Sequence, residues 1–320
     1  MGDYLALLAS VLPVLGVMGA GFGIRRLGWL TAEADGSLMK VVVNLLAPCL
    51  IADTILGNPA FGRADNVWLP PVLGFVTTAG GILVGWVFRR AWGGAGTVPE
   101  QRTFALSAGI CNYGYIPLPL AQTLFTSATV GVLFVQNIGV ELAMWLVGLA
   151  VLRGRSGGEA WRHVANPPVL AIVGTLALNA LVRREQVPGP VLQAAHLLGQ
   201  CAIPLGLMLI GATVADLLGD LRDRAGWRVI ASACVVRLVI LPACILGLAW
   251  AVPMSVELRE VMLLHAAMPA AVFPIVMARH FAGDAGVALR VVIGTSVASV
   301  VTMPVWLKVG MHLLALQPAR

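Results

Sequence analysis

The chain alternates between long apolar runs and short polar stretches, with few polar positions inside the runs. Bounded by charges or turn residues, the runs cover 4–24, 37–57, 66–88, 101–125, 129–152, 166–182, 191–214, 229–251, 259–281 and 287–316. A helix needs about 20 apolar residues to cross the hydrocarbon layer, and each run reaches that scale. In lipid the backbone polar groups must be satisfied inside the segment or by a closed barrel. The pattern therefore predicts an all-α membrane protein with ten transmembrane helices.

Composition removes the soluble alternatives. Of 320 residues, 59% are hydrophobic and only 11% charged, with a mean hydropathy of +0.89. Soluble domains carry about 25% charged residues, so too little polar material is present to face water all round. The net charge of +6 would suggest nucleic acid only if it were clustered. The basic residues instead punctuate the ends of apolar runs, so the bilayer is the expected partner and nucleic acid is not. Cys49, Cys111, Cys201, Cys234 and Cys244 all fall inside runs. That odd number argues against a disulfide framework and for small buried side chains.

Basic residues also orient the chain. Arg25, Arg26, Arg89, Arg90, Arg102, Arg153, Arg155, Arg162, Arg222, Arg224, Arg228, Arg279 and Arg290 fall on one side, 13 in all. Arg63, Arg183, Arg184, Arg259, Lys308 and Arg320 make 6 on the other. The richer side is cytoplasmic by the positive-inside rule, so both termini face out of the cell, in a multi-pass inner-membrane arrangement. Arg25 and Arg26 follow the first run and Asp3 precedes it, the reverse of a signal peptide, so the first helix is retained.

The two halves echo each other. Lys40, Asn44 and Pro48 in the second run recur as His196, Gln200 and Pro204 in the seventh, 156 positions on. Asn112-Tyr113-Gly114-Tyr115-Ile116-Pro117 in the fourth run aligns with Pro269-Ala270-Ala271-Val272-Phe273-Pro274 in the ninth, 157 positions on. Five helices per half is odd, so the halves insert with opposite topology, a transporter signature. The expected organisation is a first repeat over 1–152, a cytoplasmic linker over 153–165 and a second repeat over 166–320.

The paired interruptions are the first candidate chemistry. Gly114, Pro117 and Pro119 break the fourth run, and Pro269 and Pro274 break the ninth, since proline lacks a donor and clashes with the preceding turn. Freed carbonyls are tolerated at bilayer depth only inside protein or beside a water-filled cavity. Matched breaks place a site at the midplane, where half-helix N-termini present positive dipole ends to an anion. A plain proline kink is the bland alternative.

Charges at bilayer depth are the second. A charge at a helix centre costs about 2.5–3.5 kcal/mol on the insertion scale. Lys40 and Asp53 lie near run ends, where long side chains reach the interface. Arg237 is central to its helix, either bridging to Glu141 or free to meet a carboxylate. Glu141, one turn after Asn137, is either a coupling proton site or that fixed partner. His196 and His265 either carry protons or bridge helices by hydrogen bonds. Thr295, Ser296, Ser299 and Thr302 read as packing polar groups between helices. Zinc-protease, nucleophile-elbow, P-loop and dinucleotide fingerprints are missing, so neither an enzyme nor a cofactor or metal site is expected. Sensing without transport is the alternative class, but the runs leave no room for a soluble signalling domain.

The residues resemble the auxin efflux carrier family, which includes plant PIN proteins and bacterial organic-anion carriers. The resembling stretches are Asn44-Leu45-Leu46-Ala47-Pro48, Asn112 to Pro119, Asn166-Pro167-Pro168, Ile203 to Gly211, Arg237 to Pro242 and the ninth-run prolines. The resemblance implies scaffold helices 1, 2, 6 and 7, and a moving transport domain of helices 3–5 and 8–10. It implies that helices 4 and 9 cross at their breaks and bind an anion there, with dimerisation through the scaffold. Asn112 matches the family's crossover Asn, whereas the second-half position carries Pro269. A small carboxylate such as malate, malonate or an auxin-like acid is the implied substrate. A sodium-coupled carrier of the bile acid symporter type has the same broad fold. The expected substrate contacts are Asn112, Tyr113, Gly114, Tyr115, Pro117, Pro269, Ala270, Ala271, Arg237 and Asn44. Glu141, His265 and His196 are the expected coupling groups, and alternating access is elevator-like.

Overall fold

A computed structural model of the chain describes residues 2–91, 96–154, 163–217 and 226–318. The described residues are helical almost throughout. In chain order the helices are α1 (Gly2–Arg26), α2 (Ala32–Ile55), α3 (Asp65–Ala91), α4 (Val98–Gly109), α5 (Pro117–Leu124) and α6 (Ser127–Arg153). They continue as α7 (Pro167–Leu181), α8 (Gly189–Leu217), α9 (Gly226–Ala251), α10 (Val256–Ala267), α11 (Phe273–His280) and α12 (Ala285–Leu313). Six of these, α2, α3, α6, α8, α9 and α12, are each long and apolar enough to cross a membrane. Most of the expected linker, with Arg155 and Arg162, lies outside the described residues, as do Arg222, Arg224 and Arg320.

Interior prolines shape several helices. A proline removes the N–H that would close on the carbonyl four residues earlier. In α9, Pro242 frees the Leu238 carbonyl, and the Trp306 indole N–H from α12 takes it at 2.6 Å. The turn before it, Val236–Ile240, is wide, with five-residue hydrogen bonding, as are Val42–Leu46 in α2 and Met144–Gly148 in α6. Such widened turns re-aim side chains and recur at functional sites.

Close helix approach depends on small residues. α1 runs along α8 with Gly21 against the Met208 backbone and Gly211 against the Met18 backbone. A Cβ at either glycine would overlap the facing carbonyl, so both positions exclude every larger residue without helix separation. α2 packs on α7 and α8, whereas α3 packs on α4 and α6, and α12 packs on α4, α9 and α10. Buried Leu50, Leu133, Leu207, Met262 and Leu264 belong to one continuous apolar core.

Candidate functional site

Two helices stop in the middle of the molecule, and each resumes a few residues later. α4 opens on a capping box in which Thr97 and Glu100 bond each other's backbone N–H, and it ends at Gly109. Residues 110–116 are non-helical, and α5 then begins at Pro117. α10 opens on Ser255, whose Oγ accepts the Leu258 N–H at 3.1 Å, and it ends at Ala267. α11 begins at Phe273, with Pro274 in its first turn. The sequence reading took Pro117, Pro119 and Pro274 as breaking the helices. They stand instead at the start of the second half-helix, where a missing N–H costs nothing. The interruptions themselves cover residues 110–116 and 268–272, the second with Pro269 inside it.

The breaks join each other. Asn112 N donates to Pro269 O at 2.8 Å and Ala271 N to Ile110 O at 3.0 Å, an antiparallel bridge centred on Cys111 and Ala270. Each break thereby satisfies backbone groups that lipid could not. Ala270 N finds the Thr295 hydroxyl of α12 at 3.1 Å. Thr295, read from sequence as a packing residue, therefore holds the crossover closed.

Around this bridge the side chains divide. Asn112 is buried, and its Oδ1 accepts from Gly114 N and Ile116 N, both at 3.4 Å, bracing the entry into α5. Tyr113 and Tyr115 point in different directions because the backbone bends at Gly114 and turns through Tyr115 and Ile116; two residues two apart in an extended segment would share a face. The Tyr113 hydroxyl donates to Glu141 Oε1 at 2.7 Å, and its carbonyl accepts from Asn137 Nδ2 at 2.9 Å. Tyr115 faces the other way, its ring against Gly206 of α8 and its hydroxyl 3.8 Å from Met39 Sδ. Any side chain at Gly206 would overlap that ring.

Glu141 has three donors. Besides Tyr113, Trp145 Nε1 reaches Oε2 at 3.0 Å and Asn166 Nδ2 reaches the same oxygen at 3.1 Å. Arg237 is not its partner, which corrects the alternative of a structural bridge between them. Arg237, 1% exposed, sends Nε to Met268 O at 3.1 Å and one terminal nitrogen to His265 O at 2.9 Å. The cation thus sits on the free carbonyls at the C-terminal end of α10, where a helix dipole favours it. His265 is also buried, with its Nδ1 2.9 Å from Gln136 Nε2 of α6, the interhelical hydrogen bond of its plainer reading.

Other expected site residues lie elsewhere. Asn44 is exposed and donates to the Lys40 carbonyl one turn back in its own helix. His196 Nδ1 sits 2.8 Å from Asp53 Oδ2, and Arg184 reaches Asp53 Oδ1 at 3.1 Å. Asp53 is therefore paired between α2, α8 and the turn after α7, and no described contact joins Asn44 or His196 to the crossover. Sequence reading passed over Glu260, a buried carboxylate on α10 bonded by the buried Thr129 hydroxyl of α6. Its place beside Arg259 and Glu257 had the look of a span end. It also left Asn166 inside a family motif with no partner. Among the described residues no three His, Cys, Asp or Glu side chains gather as a metal site.

Comparison with known proteins fits this architecture. The family described as membrane transport protein matches residues 6–163 and 157–307. An uncharacterized transporter of Methanothermobacter thermautotrophicus is 26% identical over 307 residues, covering 93% of this chain and 96% of that protein. Protein ECM3 of Saccharomyces cerevisiae is 27% identical over 159 residues, 47% of this chain but only 25% of its own length.

Proposed function

The chain belongs to the membrane transport protein family, which takes in the auxin efflux carriers, and on that premise we propose that it is a secondary carrier of small organic anions. In this reading α1, α7 and the two broken pairs, α4–α5 and α10–α11, supply four crossings beside the six long helices. That makes two five-helix repeats of opposite topology. The observation that carries it is the bridge between the two breaks. It joins, at Asn112, the segments that lead into α5 and α11, each of which begins with a positive dipole end. A carboxylate such as malate or malonate matches that electrostatics, with Asn112, Tyr113, Gly114, Tyr115, Pro117, Pro269, Ala270 and Ala271 around it.

Two packing groups support an elevator-type movement. α1, α2, α7 and α8 lie against one another as the static group. α3 to α6 and α9 to α12 form the moving one, with the crossover inside it. Glu141 is the coupling group of this scheme, since it is tied to the crossover through Tyr113. Uptake of labelled malate and malonate into proteoliposomes tests the reading, with pH and sodium varied independently. Uptake driven by a proton gradient is expected. No uptake of any carboxylate would remove the carrier assignment, and strict sodium dependence would replace it with a sodium-coupled symporter. Glu141→Gln should abolish the pH dependence of net uptake while leaving exchange of internal for external substrate largely intact, because the side chain no longer changes charge.

Orientation follows from the basic residues, with both termini outside. A reporter active only in the cytoplasm should be silent when fused after Arg320 and active when fused after Arg155. Strong signal at both positions would mean an even number of crossings between them and would remove the inverted repeat.

A further inference from the structure

Glu141 uses its two oxygens in two directions. Oε1 accepts from Tyr113 at the crossover, and Oε2 accepts from Trp145 and from Asn166. Asn166 is the N-cap of α7, with its Oδ1 taking the Val169 N–H at 3.0 Å. Its Nδ2 also lies 3.4 Å from the His163 carbonyl. The segment entering α7 is pressed onto the same place by its rings. His163 stacks on Trp145 with centroids 4.4 Å apart, and Phe281 meets both edge-on. Glu141 and Trp145 stand on α6 and Phe281 follows α11, whereas Asn166 starts α7. The contact therefore joins the proposed moving group to the proposed static one.

We propose that Asn166 is a latch that couples the charge on Glu141 to release of the moving group from the scaffold. An ionised carboxylate accepts from Asn166 and Trp145 together. A proton on Oε2 adds an O–H donor and leaves that oxygen a weaker, partly blocked acceptor, facing two N–H groups that cannot accept the new hydrogen. The α6–α7 hydrogen bond is then lost while the cap on Val169 remains. Tyr113 supplies the second input, since substrate at the crossover that draws its hydroxyl away changes what Glu141 must satisfy. Among the described residues the titratable group in contact with Glu141 is Tyr113; His163 stacks on Trp145, and α10, which also packs on α6, carries His265 and Glu260, bonded there to Gln136 and Thr129. Arg153 lies a ring further off, over Phe281 at 4.6 Å.

This inference rests on the carrier reading for its purpose, and its test does not need transport. Asn166→Thr keeps a capping hydroxyl for Val169 N and has no amide to offer Glu141. Asn166→Asp keeps the cap and faces Glu141 with an acceptor. Hydrogen–deuterium exchange is measured on the full chain in lipid nanodiscs, over residues 163–172 and 141–153, at about pH 8 and about pH 3.5, either side of the ordinary glutamate titration at about 4.3. After correction for intrinsic rates, wild type should exchange about tenfold or more faster at the lower pH, the scale of one hydrogen bond to a charged group. Both variants should exchange fast at both values, with the pH difference gone. A wild-type pH difference that survives in a folded Asn166→Thr or Asn166→Asp protein overturns the latch, as does a wild type with no difference. Labelled malonate uptake by wild type separates the two ideas. Uptake together with a pH difference that persists in the variants leaves the carrier and removes the latch; a wild-type pH difference that both variants lose, without uptake of any carboxylate, does the reverse.

Discussion

Asn112→Asp should fold like wild type and lose carboxylate binding by a hundredfold or more. The Asn112 Oδ1 accepts two backbone N–H groups at the start of α5, and a carboxylate oxygen serves those bonds equally well. What changes is the amide nitrogen, the group that would donate to an anion at the crossover. Losing one hydrogen bond to a charged group costs about 1.5–3 kcal/mol. A like charge about 4 Å away adds about 4 kcal/mol at an effective dielectric of about 20. Asn112→Ala should show only the first of these losses, together with a small penalty for the lost brace. The measurement is thermal stabilisation by malonate, titrated on wild type and on both variants. Equal stabilisation of wild type and Asn112→Asp would place the anion away from the crossover, and the proposed mechanism would go with it.

Arg237→Ala should instead cost the fold. The guanidinium is buried at 1% exposure and holds two main-chain carbonyls at the free end of α10. Truncation orphans both carbonyls and opens a cavity beside the bridge between the breaks. Two hydrogen bonds from a charged donor are worth about 3–6 kcal/mol together, a large share of a stability that rarely exceeds about 15 kcal/mol. Arg237→Lys keeps one charge and one reachable carbonyl, so it should fall between. The melting temperature in detergent, with malonate and without, separates the roles. A variant that melts like wild type but no longer responds to malonate would make Arg237 a substrate contact and not a structural cap.

Much of the architecture was legible without coordinates, and for one physical reason. Lipid enforces long apolar helices and tolerates a break only where protein can satisfy it. Apolar run length therefore reported the helices, and Gly114, Pro117, Pro269 and Pro274 reported where two of them stop. The errors were local. The second helix begins at Ala32 and not near 37, because Ala32 to Gly36 form a largely exposed, acidic first turn that a hydropathy boundary excludes. Pro117, Pro119 and Pro274 stand just inside the second half-helices, a distinction of a few residues that composition does not resolve.

Partner choice at the site was not legible. Arg237 is offered either Glu141 or a carboxylate substrate, because opposite charges are what a sequence displays, yet its partners are backbone carbonyls, which every residue carries. Asn166 and Tyr113 lie 25 and 28 positions from Glu141, and nothing in the intervening residues marks the three as neighbours. Thr295 sits among other hydroxyl residues of α12, and only the packing of α12 under the crossover singles it out. The sequence by itself determined the membrane setting, the helices, their two interruptions and the family, because each follows from local chain chemistry in lipid. Only the tertiary structure decided which polar group satisfies which, because hydrogen bonds across packed helices depend on register and rotation between segments far apart in the chain.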